Sequence, residues 1–247
     1  MYMKRIKTAI VALAIFTMAI QSQAQNNSFN PSVSTPTADE IIARHINAIG
    51  GKDNLEKIKN VVMEGSLTVN GADITVTVTQ VRNKLVRQDI TAMGMNGYDF
   101  TTDKEGWTYM PFQGMQKPEP KTPDDVKEGQ PDLDLTGALY NYAAKGNKVE
   151  YLGTDDVEGT SCNKIKVILS TGREETYFLD AKTDMIVKTL QKRKVNGTEM
   201  EMSTTVSDYR DVEGVKMPFS ITANFGTVTF SSIKVNQVID DKLYKHE

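Results

Sequence analysis

The chain has 247 residues, 29 Lys and Arg against 32 Asp and Glu for a formal net charge of −3, two His and one Cys. Its length allows one domain or two small ones, and 39% hydrophobic with 25% charged residues is ordinary for a globular protein. A lone Cys excludes a disulfide scaffold or a Cys-based zinc site within one chain, two His leave little for a multi-His metal centre, and a pI near 5.6 argues against general nucleic-acid binding.

Lys4, Arg5 and Lys7 precede an apolar run from Thr8 to Ile20 and the small residues Ser22 and Ala24. This reads as a secretory signal peptide, residues 1–24, cleaved after Ala24. The run is short for a membrane span, which needs about 20 apolar residues. No Cys follows it, so lipidation is not expected. Cleavage leaves 223 residues, removes three cations and no acid, and takes the net charge to about −6. The product is expected in the periplasm, with Cys162 a buried small hydrophobe. Residues 25–37, rich in Asn, Ser, Thr and Pro, read as a disordered leader, and residues 38–247 as a single domain.

Thr37-Ala38-Asp39-Glu40 is a capping box opening a helix whose stripe is Ile42, Ile46 and Ile49, stopped by Gly50-Gly51. A short second helix carries Leu55 and Ile58. Strands follow from Val61. Met63, Gly65, Leu67 and Val69 share one face of the first, and Asn70-Gly71 signals a hairpin. Ile74, Val76 and Val78 then alternate with Thr75, Thr77 and Thr79, the pattern of an antiparallel strand with one wet face. Further strands are predicted at Leu85–Ala92, Tyr98–Thr102, Gly106–Tyr109, Lys148–Thr154, Asn163–Leu169, Glu174–Leu179, Ile186–Val195, Glu199–Tyr209, Phe219–Phe225 and Thr227–Gln237. Asn96-Gly97, Thr171-Gly172, Asn196-Gly197 and Glu213-Gly214 are predicted turns between them.

Five of the eight prolines lie at Pro111, Pro118, Pro120, Pro123 and Pro131, so this stretch is no central strand. It reads as a long loop, a lid or a surface excursion, with helical pieces near Asp124–Lys127 and Leu135–Ala144. The order predicts an α+β fold with helices on one side of a large antiparallel sheet, and a highly curved sheet of this kind encloses an apolar concavity.

The sequence holds no G-x-S-x-G elbow and no H-E-x-x-H. Gly50-Gly51-Lys52-Asp53 lacks the first Gly and the Ser or Thr of a phosphate-binding loop. A hydrolase would have to use His45, which sits beside the apolar stripe of the first helix, or His246. The acid pairs Asp124-Asp125, Asp132/Asp134, Asp155-Asp156 and Asp240-Asp241 lack calcium-loop spacing and read as solvated turns. No catalytic residue, metal or cofactor is expected. Four of the nine methionines of the mature chain, Met93, Met95, Met110 and Met115, lie within 23 residues, interleaved with Trp107, Tyr109 and Phe112. Met93 and Met95 read more readily as core filling. Met110, Phe112 and Met115 at the mouth of the Pro-rich loop point to an adaptable apolar binding surface.

Val81-Arg82-Asn83-Lys84-Leu85, Asn96-Gly97-Tyr98, and Gly106-Trp107-Thr108-Tyr109-Met110-Pro111 with Gln116 resemble the LolA/LolB lipoprotein-sorting superfamily. That family carries an Arg-Pro-Asn-Leu-Phe-type stretch, an Asp-Gly turn and a Trp-x-Tyr-x-Pro strand. The opening helix with its Ala-Ile-Gly-Gly-Lys ending is similar to that of Bacteroidetes proteins of the lipoprotein-sorting type. The resemblance covers most of the mature domain and implies a LolA-like half-barrel whose apolar cavity receives acyl chains. It places Arg82 at the gating arginine that bonds lid backbone, although Asn83 stands where the family has Pro, and it puts Trp107 and Tyr109 near the pocket.

The expectation is a monomeric, non-enzymatic periplasmic carrier of lipoprotein acyl chains or another amphiphile. The chains would lie against Met63, Leu67, Ile74, Val76, Val78, Trp107 and Tyr109, with Arg82, Met110, Phe112 and Met115 as lid and gate. Partners would be lipoproteins and membrane-anchored donor or acceptor proteins, with no nucleic acid. The alternatives are a sensor or protein-interaction domain whose cavity is filled by its own side chains, and an unrecognised hydrolase.

Overall fold

The computed structural model describes residues 35–69, 71–195 and 198–246. The signal peptide, most of the leader, and Asn70, Asn196 and Gly197 of two predicted turns lie outside them. The capping box forms at Thr37, whose hydroxyl accepts from the Glu40 amide while the Glu40 carboxylate accepts from the Thr37 amide. It starts α1 (Ala38–Ala48), and α2 (Lys52–Lys57) follows. Gly50, at φ +123°, lies against the backbone of Gly214; a Cβ there would stand 2.1 Å from the Gly214 carbonyl oxygen. Only glycine seats the end of α1 there.

Among the described residues thirteen strands form one antiparallel sheet. The first meander is β1 (Asn60–Val69), β2 (Ala72–Val81), β3 (Leu85–Ala92), β4 (Met95–Thr102), β5 (Gly106–Tyr109) and β6 (Glu119–Pro120). After α3 (Pro123–Gly129) and a 3-10 turn (Gln130–Leu133), the second is β7 (Lys148–Val157), β8 (Thr160–Ile168), β9 (Glu174–Asp180), β10 (Ile186–Val195), β11 (Thr198–Val212), β12 (Val215–Ala223) and β13 (Gly226–Val235). The two halves join where β1 pairs with β13, so β6 and β7 are the two edges. Residues 121–147 must therefore carry the chain from one edge to the other.

They cross the concave face. β3 and β10 are six steps apart in the sheet, roughly 29 Å if it were flat at about 4.8 Å per strand. Yet Gln88 on β3 and Arg193 on β10 line one cavity of about 710 Å³, and α3 touches both β4 and β10. The sheet is an open, strongly curved half-barrel with few helices. One core joins Leu55, Ile58, Val61, Val76, Phe219, Phe230 and Val235, and a second joins Ile41, Ile42, Leu139, Ile165, Val167 and Leu179; Ile46 of α1 packs against both.

Three local expectations are corrected. The β3–β4 turn is Met93-Gly94, both at positive φ (53° and 73°), while Asn96 and Gly97 lie in β4, paired with Thr91 and Ile90. Met93 is then 69% exposed at the hairpin tip and Met95 is exposed beside it, so neither fills the core. Residues 135–146 form a run of turns in place of a helix, because Gly137 (φ +73°) and Asn141 (φ +49°) leave helical space; Leu139 and Tyr140 are buried nonetheless. β12 begins at Val215, ahead of the predicted Phe219. It can include Pro218 because its ladder to β13 starts only at Ser220, so the missing N–H breaks no bond on that side. Pro120, in the two-residue β6, obeys the same rule at a sheet edge.

Candidate functional site

Strand register sorts the expected site residues onto two faces. Met63 pairs with Val78, Gly65 with Val76 and Leu67 with Ile74. Val76 pairs in turn with Ile90, and Met63 with Ile233 across the other side. Directly paired residues share a face. Met63, Leu67, Ile74, Val76 and Val78 therefore stand together on the concave face, continued by Ile90 and by Phe230, Val228 and Ile221. Val76 is buried, while Met63, Leu67, Ile74, Val78, Ile90 and Ile221 are only half-buried. The result is an apolar floor with incomplete cover. Gly65 lets it close up: a Cβ there would meet the Thr229 carbonyl oxygen at 2.7 Å and the Phe230 ring at 2.8 Å.

Met110, Phe112 and Met115 lie on this same side. Gly97 pairs with Ile90, and a Cβ on Gly97 would reach Phe112 Cε1 at 2.8 Å and Met110 Sδ at 3.2 Å. The Met110 amide donates to Met115 Sδ at 3.3 Å, which folds the three into one turn over β4.

Arg82 is elsewhere. Its guanidinium donates to the carbonyl oxygens of Leu55 at 2.6 Å and Ile58 at 2.8 Å, at the end of α2 where carbonyls run short of helical partners. It holds a helix to the β2–β3 turn and does not touch the Met110–Met115 turn.

Trp107 and Tyr109 face away from the concavity. Trp107 pairs with Phe100, Phe100 with Arg87 and Arg87 with Thr79, all on the convex side. There the segment after β13 straps the sheet. Arg87 donates to the carbonyls of Leu243 and Lys245 at 3.2 Å each, and the Tyr98 hydroxyl donates to the His246 carbonyl at 2.7 Å. The Trp107 indole stacks on His246 at 3.6 Å. The placing of Trp107 and Tyr109 near the pocket is thus corrected: adjacent strand positions point to opposite faces.

Two cavities flank the crossover, of about 450 and 710 Å³, within the roughly 300–1,000 Å³ typical of small-molecule sites. Polar and charged residues are the majority of those lining each, beside a substantial apolar surface, and Asp132 lines both. Its carboxylate bridges Arg173, Oδ1 to Nη2 at 2.7 Å, and Arg193, through Oδ2. Arg173 also pairs with Glu175 at 2.8 Å, which further accepts from Tyr177 and Gln191. Burial pulls the Arg173 pKa down, but Asp132 and Glu175 outweigh it and hold the guanidinium more firmly charged. Burial, with the adjacent Glu175 carboxylate, pushes the Tyr177 phenol far up. Asp132 is therefore no solvated turn residue. Arg173, Glu175 and Tyr177 show period-two spacing, the one sequence signal that would have placed them on a single strand face. In the larger cavity Lys121 bonds Asp99 at 2.6 Å and Thr101 at 3.0 Å.

His45 is buried, and its Nδ1 lies 2.8 Å from the Asp184 carbonyl oxygen, to which it must donate. Burial lowers its pKa. That bond ties the imidazole to backbone, not to a nucleophile. Among the described residues no cluster of three or more His, Cys, Asp or Glu is placed to hold a metal, and no helix is long and apolar enough to cross a membrane.

No protein-family model and no curated protein matches the chain. Solved structures do. A DUF1329 family protein from Desulfovibrio piger superposes with a TM-score of 0.52 at 10% identity, over 86% of this chain and 98% of that one. A LolA superfamily protein from Nitrosomonas europaea gives 0.52 at 13%, over 85% and 99%. A domain named as an outer-membrane lipoprotein-sorting protein, from Vibrio parahaemolyticus, gives 0.50 at 8%, over 84% and 95%. At such identities the likeness is one of fold, and the fold is LolA-like.

Proposed function

We propose that this chain is a non-enzymatic binder, and carrier, of an amphiphile bearing an acyl chain, with its site on the concave face. The observation that carries the reading is the half-buried floor of Met63, Leu67, Ile74, Val78 and Ile90. Each CH₂ buried there contributes about 0.8 kcal/mol, so eight to ten methylenes give roughly 6–8 kcal/mol, a dissociation constant of about 1–20 μM before ordering costs. The Met110–Phe112–Met115 turn is the movable cover, and Met suits chains of varied shape. The named function of the Vibrio parahaemolyticus neighbour, lipoprotein sorting, fits this reading. On it, residues 1–24 export the protein to the periplasm, and lipid-modified proteins are cargo, handed between membrane-anchored partners by a monomer.

Native mass spectrometry of the protein purified from its own cells, with uptake of a fluorescent fatty acid, tests the proposal. The expected result is a co-purified amphiphile, saturable uptake, and loss of uptake in Ile74→Asp, a half-buried floor position. No amphiphile and no uptake by a folded protein would refute it.

A second reading is favoured by the crossover itself, which occupies the mouth of the half-barrel with α3 and the 3-10 turn. It makes the chain a sensor or interaction module whose concavity is filled in cis. Failure of uptake together with pull-down of a defined protein by the same folded sample favours it.

A further inference from the structure

We propose that Arg173 and Arg193 form an anion site for the headgroup of an acidic amphiphile, and that Asp132 occupies this site in cis. The proposal rests on the amphiphile-binding reading above and specifies its ligand.

The charges are unequally held. Glu175 is fully engaged, taking Arg173 Nε at 3.0 Å, Gln191 Nε2 at 3.4 Å and the Tyr177 hydroxyl. With side-chain exposures of 4% and 2%, Arg173 and Glu175 are a buried pair that stays together. Asp132 is 30% exposed and Arg193 24%. The four charges sum to zero while Asp132 is docked. When its carboxylate swings out, Arg193 and the Arg173 Nη2 hydrogen that Glu175 does not hold lose their acceptor, leaving one positive charge of the four uncompensated in a partly desolvated place. That is costly unless an oxyanion replaces it. Leu133 beside it is buried and the Asp132 carbonyl accepts from Gln80 at 2.6 Å, so the backbone is held and it is the side chain that would rotate.

Position selects an amphiphile over a free ion. Asp132 is common to both cavities, so an anion that takes its place borders both. Met202 shares the larger cavity with Arg193 and stands on the same face of β11 as Val206, which pairs with Ile221 of the apolar floor. A headgroup on the two arginines would thus lead its chain along β11 onto that floor. Two converging guanidinium edges match a carboxylate or a phosphate monoester.

Dodecanoate and dodecyl phosphate below their micellar concentrations, and dodecanol below its solubility limit, would be titrated calorimetrically into wild type, Arg193→Gln and Asp132→Asn. Wild type is expected to bind at least one anionic lipid about tenfold or more tighter than dodecanol. Which anion is preferred identifies the oxyanion. Asp132→Asn should strengthen anion binding severalfold and leave dodecanol unchanged, since it removes only the internal competitor. Arg193→Gln should abolish the preference and keep dodecanol binding. Equal affinity for all three lipids in wild type and Asp132→Asn overturns the anion site but leaves the amphiphile reading intact. No binding of any lipid overturns both. If Arg193→Gln does not fold, the opposite response of Asp132→Asn decides alone.

Discussion

Gly97→Ala tests the placing of the Met110–Met115 turn on the concave face. The added Cβ would stand 2.6 Å from the Tyr109 carbonyl oxygen, 2.8 Å from Phe112 Cε1 and 3.2 Å from Met110 Sδ. The Phe112 ring and the Met110 thioether can yield, but the carbonyl belongs to β5, which is paired with β4 through Tyr98 and Tyr109. The substitution therefore has to shift the strand end and lift the turn. Overpacking of this kind costs about 1–3 kcal/mol, a fall in Tm of roughly 2–12 °C for a chain of this size. Urea denaturation followed by circular dichroism would read it as a lower midpoint at unchanged slope. Two controls separate crowding from loss of backbone freedom. Gly94→Ala, at φ +73° with nothing within 4 Å, strains the backbone without a clash, and should leave fatty-acid uptake unchanged. Phe112→Ala combined with Gly97→Ala should recover part of the loss, because it removes one of the three contacts, giving a coupling energy of at least about 0.5 kcal/mol. A Gly97→Ala cost below about 0.5 kcal/mol, or strict additivity with Phe112→Ala, would falsify this packing.

Arg82→Gln should destabilise by about 1–3 kcal/mol, since the Leu55 and Ile58 carbonyls lose their donor, and Arg82→Lys should recover only part of it; amide hydrogen exchange localised to α2 checks the site of the damage. Phe100→Ala, at a fully buried position, is expected to cost about 3–5 kcal/mol, whereas Val238→Ala, at 101% exposure, should change the urea midpoint by nothing measurable. For His45, burial holds the folded pKa below the unfolded value, so the unfolded chain binds the extra proton. Its contribution is complete above about pH 6.5 and declines as pH falls from there through the lowered folded value, by at most about 1.4 kcal/mol per pH unit. Urea midpoints at pH 7.5 and 5.5 should diverge more in wild type than in His45→Gln; equal divergence sinks the assignment. Because Trp107 is the single Trp and stacks on His246, His246→Ala should raise acrylamide quenching of its emission while leaving the urea midpoint within about 0.5 kcal/mol.

Much of the concave site was legible because it follows from alternation. Ile74, Val76 and Val78 against Thr75, Thr77 and Thr79 identify a buried face, and the hairpin partners inherit it through register. Arg82 resisted such reading, since nothing local distinguishes a guanidinium that gates a lid from one that closes the end of α2. Asn96-Gly97 is one of three Asn-Gly turn signals in the sequence. The turn nevertheless forms three residues earlier at Met93-Gly94, where Gly94 supplies the second positive φ and Gly97 is needed as bare backbone beneath Phe112. Asp132, Arg173 and Arg193 are 41 and 20 residues apart along the chain. Read singly, each is an ordinary surface charge.

The low His and Cys count, the alternating strands and the clustered prolines thus define by themselves a sheet-rich chain with one apolar face and a crossing segment that no ladder can absorb. Local chemistry suffices for this, because side-chain period, turn residues and missing N–H groups act within a few residues. Only the tertiary structure decides that β1 pairs with β13, which makes β6 and β7 opposite edges and sends the Pro-rich segment over the concave face. That closure also carries the segment after β13 over Trp107 and brings Asp132 between two arginines. These are long-range pairings, set by the combined burial of two distant meanders and by nothing in either one alone.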